Sequence, residues 1–217
     1  MAGRALVICN GEPPSRRLAR RLVRNHDAVI AADGGSNIAR RYGIRPDMII
    51  GDLDSVTPST LKLFKHSKIV RMTRQDNTDL EKALDYVADL GYSSATVIGA
   101  TGKRLDFTLG NLSSMWRYAA TIDLLFVGDG WQALPVGRSR TIAARRGTTV
   151  SLIPFGACSG ITLKGLKYPL HEATMHVGEI GVSNVVRSSP FSVRVKKGRM
   201  LLITLDTHGR ATTRPPW

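Results

Sequence analysis

The sequence predicts an α/β chain in two parts: an N-terminal three-layer α/β/α domain with a mostly parallel sheet, followed by a C-terminal all-β sandwich domain. Three observations predict it. Up to Val127, short apolar runs alternate with amphipathic stretches, the pattern of βαβ units. Between Gly128 and Gly137 the pattern is broken by Gly128-Asp-Gly130, Pro135 and Gly137. Beyond it no helical periodicity returns, only short alternating segments set off by glycine turns. The expected domains are 1–130 and 138–207, with 208–217, aperiodic and holding Pro215 and Pro216, as a loose tail.

In order, the strands expected of the first domain are Ala5 to Cys9, Ala28 to Ala32, Met48 to Ile50, Lys68 to Met72, Ala95 to Ile98 and Ile122 to Val127. Helical patterns lie between them. Ser15 to Arg24 sets Leu18 and Leu22 on one face and Arg16, Arg17, Arg20, Arg21 and Arg24 on the other, a solvated face by ordinary reading. From Thr78 to Leu90 the apolar stripe is Leu80, Ala83, Leu84, Val87 and Ala88, and Thr78 with Glu81 forms a capping-box pattern that fixes the start. Another helix starts near Asp106, with Leu109, Leu112 and Trp116 on its expected inner face. Thr148 to Pro154, Gly160 to Leu163, Gly181 to Val186, Phe191 to Val195 and Met200 to Leu205 read as strands of a small antiparallel sandwich.

Composition narrows the class of function. No stretch approaches the ~20 apolar residues that span a bilayer, and the opening residues lack the apolar core of a signal peptide. Cys9 and Cys158 lie far apart, without CxxC spacing or a histidine at zinc-site distance, and read as reduced core residues. A cytoplasmic protein without a membrane partner is expected. The formal net charge of +14 suits nucleic acid, an anionic surface or an anionic small substrate. Its arginines and lysines are scattered, without interleaved aromatics or an RNP, KH or zinc-finger motif, so nucleic acid is not the expected partner.

Chemistry collects where the expected strands end. Asp33-Gly-Gly-Ser-Asn37 follows the second strand, Gly51-Asp-Leu-Asp-Ser55 the third, Arg74-Gln-Asp-Asn-Thr-Asp79 the fourth and Thr101-Gly-Lys-Arg-Leu-Asp106 the fifth. In a parallel sheet these loops share the edge at which ligands bind. Asp33, Asp52, Asp54, Asp76, Asp79 and Asp106 would repel one another there unless a cation sat among them. Oxygen-only ligands without His or Cys suit Mg²⁺, which shares its shell with substrate phosphates and so points to a nucleotide. Lys103 and Arg104, with the free N–H groups of a helix starting at Thr78, suit phosphate oxygens. Taken singly, Asp79 or Asp106 is a first-turn helix residue, and Asp52 with Asp54 a turn. Gly99-Ala-Thr-Gly-Lys-Arg104 is not a Walker A loop, because Arg104 stands where Ser or Thr is required; no GxGxxG follows the first strand and no GxSxG occurs.

Ala32-Asp-Gly-Gly-Ser-Asn37, Gly51-Asp-Leu-Asp-Ser55, Asp76-Asn-Thr-Asp-Leu-Glu81 and Gly99-Ala-Thr-Gly-Lys-Arg-Leu-Asp106 resemble, in that order, the motifs of the thiamine pyrophosphokinase family. Ser151-Leu-Ile-Pro-Phe-Gly156, Gly165-Leu-Lys-Tyr-Pro-Leu170 and Gly181-Val-Ser-Asn184 resemble its thiamine-binding β domain. The resemblance implies transfer of a pyrophosphoryl group from ATP to the thiamine hydroxyl, with Mg²⁺, by a homodimer whose active sites lie at the subunit interface. Carried onto this sequence, it implies catalytic roles for Asp52, Asp54, Asp79, Arg104 and Asp106, with Asp52, Asp54 and Asp79 as the metal set. Asp106 is the candidate for orienting or deprotonating the hydroxyl. The ATP-binding set is Asp33, Gly34, Asp76, Thr78, Lys103, Arg104 and Asn111, and the thiamine-binding set Ser183 and Asn184. Two departures stand out: Lys103 where the family usually has glycine, and Phe107 where it usually has a polar residue such as histidine. Val185 and Val186 also stand where some members carry an aromatic. The alternatives are a related pyrophosphokinase or kinase acting on another small alcohol, and a basic nucleic-acid-binding protein.

Overall fold

The computed structural model describes residues 3–73, 76–179 and 181–206. The expected tail at 208–217, and Arg74, lie outside them. The chain forms two compact units that part between Gly128 and Asp129.

Strands β1 (Arg4–Ile8), β2 (Ala28–Ala32), β3 (Met48–Gly51), β4 (Lys68–Arg71), β5 (Ser94–Ile98) and β6 (Asp123–Gly128) alternate with helices α1 (Arg16–Val23), α2 (Gly35–Tyr42), α3 (Pro58–Leu63), α4 (Asp79–Asp89) and α5 (Leu105–Tyr118). Within the first unit the strands run β6-β5-β1-β2-β3-β4, all parallel. Every residue of β2 and β5 is buried, which explains continuous apolar runs where a one-sided sheet would alternate. Edge strand β4 is short and mostly exposed, and it ends on Lys68 and Arg71, a composition that discourages further pairing. From β1 the chain steps outward through β2, β3 and β4, then crosses back to β5 and on to β6. Right-handed crossovers therefore put α1, α2 and α3 on one face and α4 and α5 on the other. The reversal between β1 and β5 opens a crevice at the carboxyl ends of the strands, where parallel sheets bind ligands.

Local chemistry sets the helix ends. Ser15 caps α1, its Oγ accepting from Leu18 N at 3.4 Å. The arginine face of α1 is more than a solvated one: Arg16 and Arg20 each donate from Nε to the carbonyl of Tyr42, at 3.0 and 2.9 Å. Tyr42 ends α2, so two guanidinium groups satisfy the negative end of that helix, which then turns through Gly43 at φ 63°. In α4 both bonds of the capping box form: Thr78 Oγ1 accepts from Glu81 N at 3.2 Å, and Glu81 accepts from Thr78 N at 2.9 Å.

Helix α5 departs from expectation. Its buried residues are Asn111, Met115 and Tyr118, whereas Leu109 is 57 % exposed. The inward stripe carries two polar groups whose hydrogen bonds are met inside. Asn111 Nδ2 donates to Ala100 O at 2.7 Å, and the Tyr118 hydroxyl donates to Asp85 at 2.8 Å. Counting apolar residues alone selects the wrong face.

The second unit is all β: β7 (Trp131–Val136), β8 (Ser139–Ile142), β9 (Thr149–Pro154), β10 (Cys158–Lys164), β11 (Leu170–Met175), β12 (Asn184–Val185), β13 (Phe191–Arg194) and β14 (Met200–Leu205). They pair antiparallel in the orders β12-β9-β14-β7 and β11-β10-β13-β8. Of the expected strand Gly181 to Val186 only Asn184–Val185 is strand, and β7, β8 and β11 lie where none was expected. Among the described residues no helix is long and apolar enough to cross a membrane.

His26, between α1 and β2, bonds Leu22 O at 2.6 Å and Thr96 Oγ1 at 2.8 Å. Burial holds its pKa below 6.5, partly offset by the Leu22 carbonyl. The unfolded chain thus takes up the proton first, and the stability that neutral His26 contributes is lost as pH falls from 6.5 through the lower folded-state value. Chemical denaturation should show the stability gap between wild type and His26→Gln narrowing as pH falls below 6.5. A constant gap would refute this linkage.

Candidate active site

A cleft of about 500 Å³ opens in the first unit where the sheet order reverses. Its floor is the end of β1, Cys9-Asn-Gly11, beside Gly99 and Ala100 after β5. Packing there is tight enough to require glycine, since a Cβ on Gly11 would lie 2.4 Å from Gly99 O. Cys9 is buried, and burial together with the nearby Asp79 charge pushes its thiol up to about 12, so it stays protonated at neutral pH.

One wall is acidic. Asp33, Asp52 and Asp54 each offer an oxygen within 4.8 Å of the others. They come from the ends of β2 and β3, which parallel pairing sets side by side. Asp33 sits in the left-handed region at φ 43° and Leu53, between Asp52 and Asp54, at φ 71°, strained conformations within the two loops that carry the carboxylates. Asn37 on α2 fixes the second loop: its Nδ2 donates to Ser55 O at 2.7 Å, and its Oδ1 accepts from Thr57 N at 3.2 Å. Asp33 is 2 % exposed and its Oδ1 has no hydrogen-bond partner. Burial chiefly, and the Asp79 charge next, raise its pKa. An orphaned buried oxygen among converging carboxylates fits a hard divalent cation.

Basic groups line the same cleft. Arg104 caps α5 and is held twice: its guanidinium donates to Asp106 at 3.1 and 2.5 Å and stacks over the Phe107 ring, 4.4 Å from the centroid. The hydrogen bonds to Arg104 hold the Asp106 carboxyl below its usual range. Phe107, which lacks the family's hydrogen-bonding group, thus serves as a platform for the arginine. Phe107→Leu should weaken binding of inorganic pyrophosphate in this cleft by about fivefold through a looser guanidinium; an unchanged affinity would remove the ring from this role. Lys103 occupies a left-handed backbone site at φ 56°, where glycine is the unstrained choice, and its Nζ donates to Asn10 O at 2.7 Å. Its charge therefore ties the β1 and β5 loops together.

Of the residues singled out in the sequence, the cleft lining gathers Asp33, Asp54, Thr78, Asp79, Lys103, Arg104 and Asn111. Asp52 joins through the carboxylate cluster, and Asp106 through Arg104. Gly34 packs behind the wall, where a Cβ would meet Asn10 Nδ2 at 2.2 Å, and Asp76 stands exposed outside the lining. Asp79 does not join the three clustered carboxylates; it accepts from Lys82 Nζ at 3.0 Å. Sequence reasoning missed Lys82, which is 3 % exposed, and the Cys9-Asn-Gly11 loop. The loop had a signal, polar residues directly after a strand. Lys82 also had one, a lysine three residues after an aspartate within the apolar stripe of α4. In the second unit, Ser183 is exposed at φ 65°, and its N donates to Ser151 Oγ at 3.2 Å. The Asn184 amide is engaged with Tyr168: its Oδ1 accepts from Tyr168 N at 3.0 Å, and its Nδ2 donates to Tyr168 O at 2.7 Å.

A parallel α/β unit whose switch-point cleft is lined by carboxylates together with Lys103 and Arg104, followed by an antiparallel β unit, has the donor set of a site for a cation and an anionic ligand. Comparison with known proteins gives the particular family. Residues 19–126 match the family model described as thiamin pyrophosphokinase, catalytic domain, and residues 139–200 that of the thiamin pyrophosphokinase vitamin B1 binding domain. The chain is 30% identical to thiamine pyrophosphokinase 2 of Arabidopsis thaliana, over 94% of this chain and 87% of that protein. It is 28% identical to thiamine pyrophosphokinase of Bacillus subtilis, over 82% of this chain and 87% of that one. The fold is that of the crystal structures of thiamine pyrophosphokinase from Bacillus subtilis and from yeast. The first has a TM-score of 0.83 at 24% identity, covering 94% of this chain and 99% of that one. The yeast structure has a TM-score of 0.81 at 18% identity, covering 96% and 88%. The chain belongs to the thiamin pyrophosphokinase family. The family's reaction transfers pyrophosphate from ATP to thiamine, giving thiamine diphosphate and AMP.

Proposed function

We propose that the cleft of the first unit binds ATP with Mg²⁺ and transfers its terminal pyrophosphoryl group to thiamine, with Asp33, Asp52 and Asp54 as the metal-holding carboxylates. The observation that carries this is the buried, unpartnered Asp33 oxygen among three converging carboxylates, in a cleft that Arg104 also lines. Bound there, Mg²⁺ would neutralise charge on the phosphates and orient them.

The chain's own groups supply the rest. Attack by the thiamine hydroxyl on the β-phosphorus breaks that atom's bond to the α,β-bridging oxygen; the hydroxyl proton passes to solvent and AMP leaves. Negative charge builds on the transferring oxygens and the bridging oxygen, where the fixed Arg104 guanidinium opposes it. The first turn of α4, at Asp79 and Leu80, presents backbone N–H groups to phosphate oxygens, with Thr78 capping the helix before it. Asn111 sets the β5–α5 loop through Ala100, Lys103 ties that loop to Asn10, and Gly34 allows Asn10 to approach. Asp76 stays in the nucleotide set on the family motif alone. With its pKa held down by Arg104, Asp106 suits orienting the guanidinium and accepting a hydrogen bond better than removing a proton. Thiamine falls to the second unit, with Ser183 as a hydrogen-bonding group and Asn184 shaping the Tyr168 segment. The assembly we propose is a homodimer with its active sites completed at the subunit interface; Leu105, Phe107 and Leu109, 74%, 46% and 57% exposed, support an apolar partner surface there. Its place is the cytoplasm, which suits two free cysteines.

Incubation with ATP, Mg²⁺ and thiamine should yield AMP and thiamine diphosphate. ADP as the sole nucleotide product would sink pyrophosphoryl transfer. AMP formed with other small alcohols and not with thiamine would move the substrate.

A further inference from the structure

Positive charge that looks scattered along the sequence is gathered by the fold. Helices α1, α2 and α3 cover one face of the first unit, and none of them contains aspartate or glutamate. The helices of the other face hold Asp79, Glu81, Asp85, Asp89 and Asp106. Arg16, Arg17, Arg20 and Arg24 on α1 and its cap, with Arg40 and Arg41 on α2, are all exposed. Hydrogen bonds join the layer: Arg16 and Arg20 reach from α1 to the end of α2, and Arg40 donates to Ser59 Oγ on α3. Among the described residues none of these arginines has an ion-pair partner. Asp27 and Asp47, just before β2 and β3, accept instead from the backbone N–H groups of Arg4 and Val29.

Two of the guanidinium groups are set close together. A Cβ on Gly43 would lie 2.8 Å from Arg20 Nη2 and 3.4 Å from Arg16 Nη2, so both crowd the C-terminal end of α2. The Tyr42 carbonyl holds each by its Nε. Their Nη donors then face outward demand in the planar fork that suits phosphate, and an anion there would relieve the repulsion between them.

We propose that the α1–α3 face is a second binding surface, apart from the cleft, that holds the phosphodiester backbone of duplex nucleic acid without reading its sequence. None of these arginines lines the cleft. Guanidinium groups pre-set by a backbone carbonyl lose little freedom on meeting phosphate. The aromatic of these helices, Tyr42, is half-buried with its hydroxyl donating to Pro14 O, so bases find no stacking platform and single strands are not favoured. A membrane surface fits less well. Leu18 and Leu22 of α1 are buried, and Leu63 is the one large apolar side chain that these helices expose, whereas interfacial helices sink an apolar face into lipid.

Fluorescence anisotropy of a labelled RNA duplex of about 20 base pairs, titrated with the whole chain at several salt concentrations, tests this. The logarithm of the association constant should fall with that of salt with a slope of about −4. Arg17→Gln, Arg24→Gln and Arg41→Gln together should weaken binding about thirtyfold near 0.1 M salt and flatten the slope by about 3, with melting temperature and AMP formation unchanged. If that protein does not fold, Arg17→Gln with Arg24→Gln should weaken binding about tenfold and flatten the slope by about 2. Lys164→Gln, Lys167→Gln and Lys197→Gln together remove the same charge from the second unit, and binding should stay within about twofold of wild type. Equal losses from the two triple variants would overturn the proposal, because net charge alone would then account for binding. So would displacement of the duplex by ATP with Mg²⁺, which would place it in the cleft, or binding to phosphatidylserine vesicles without binding to the duplex. Absence of duplex binding would overturn it outright and leave the reading of the cleft untouched.

Discussion

Asp54→Asn is expected to lower the rate of AMP formation by about a thousandfold, roughly 4 kcal/mol of transition-state stabilisation, while the protein stays folded. Asp54 is exposed at the cleft, and its carboxylate accepts only from Ser55 Oγ among the bonds described, at 2.9 Å. The amide can keep that bond, so little structure depends on the charge. What is lost is one of three anionic oxygens within 4.8 Å of each other, and with it charge that a hard divalent ion requires. Removing a like charge from a repelling cluster should also leave the melting temperature without divalent ions unchanged or higher. Turnover and melting measured together settle the point. A near-normal rate would take Asp54 out of the site, and a collapsed melting temperature would show a structural role.

Gly35→Ala should damage the fold itself, destabilising it by more than about 3 kcal/mol and lowering the melting temperature by roughly 10 °C. A Cβ at this first residue of α2 would lie 1.9 Å from the carbonyl oxygen of Ile8 and 2.7 Å from its carbon. Both are backbone atoms of β1, in the middle of the parallel sheet and immediately before the floor of the cleft, so neither can move without parting strands. Gly110→Ala is the matched control. Gly110 lies within α5 with nothing inside 4 Å of its Cβ, and alanine there should stabilise by about 0.5–1 kcal/mol. Equal effects at the two sites would refute the steric argument.

Particular residues show what the sequence made legible. The parallel strands were visible because both sheet faces are covered, which leaves uninterrupted apolar runs such as Ala28–Ala32. The start of α4 was visible because Thr78 and Glu81 bond each other locally. Strand β7 was hidden by Pro135, which ordinarily argues against a strand interior, and by the glycines around it. Strand β11 mixes Leu170, Ala173 and Met175 with exposed His171 and Glu172, so no alternation stands out. In the cleft, carboxylates after strands were found by their position alone. Lys82 was not, because its meaning depends on Asp52, thirty residues earlier and on another element. The same limit applies to Phe107, whose use appears only once Arg104 lies over its ring.

Asn37 stands outside the carboxylate set, yet it grips the loop that carries Asp52 and Asp54 through Ser55 O and Thr57 N. That makes its side-chain amide a sentinel for the site. In a ¹⁵N-labelled sample, the two Asn37 Nδ2 protons can register whether the cluster is filled while the residue contributes nothing to the ion's shell. Ion entry and nucleotide entry can then be followed as separate events, in the unmodified enzyme and without turnover.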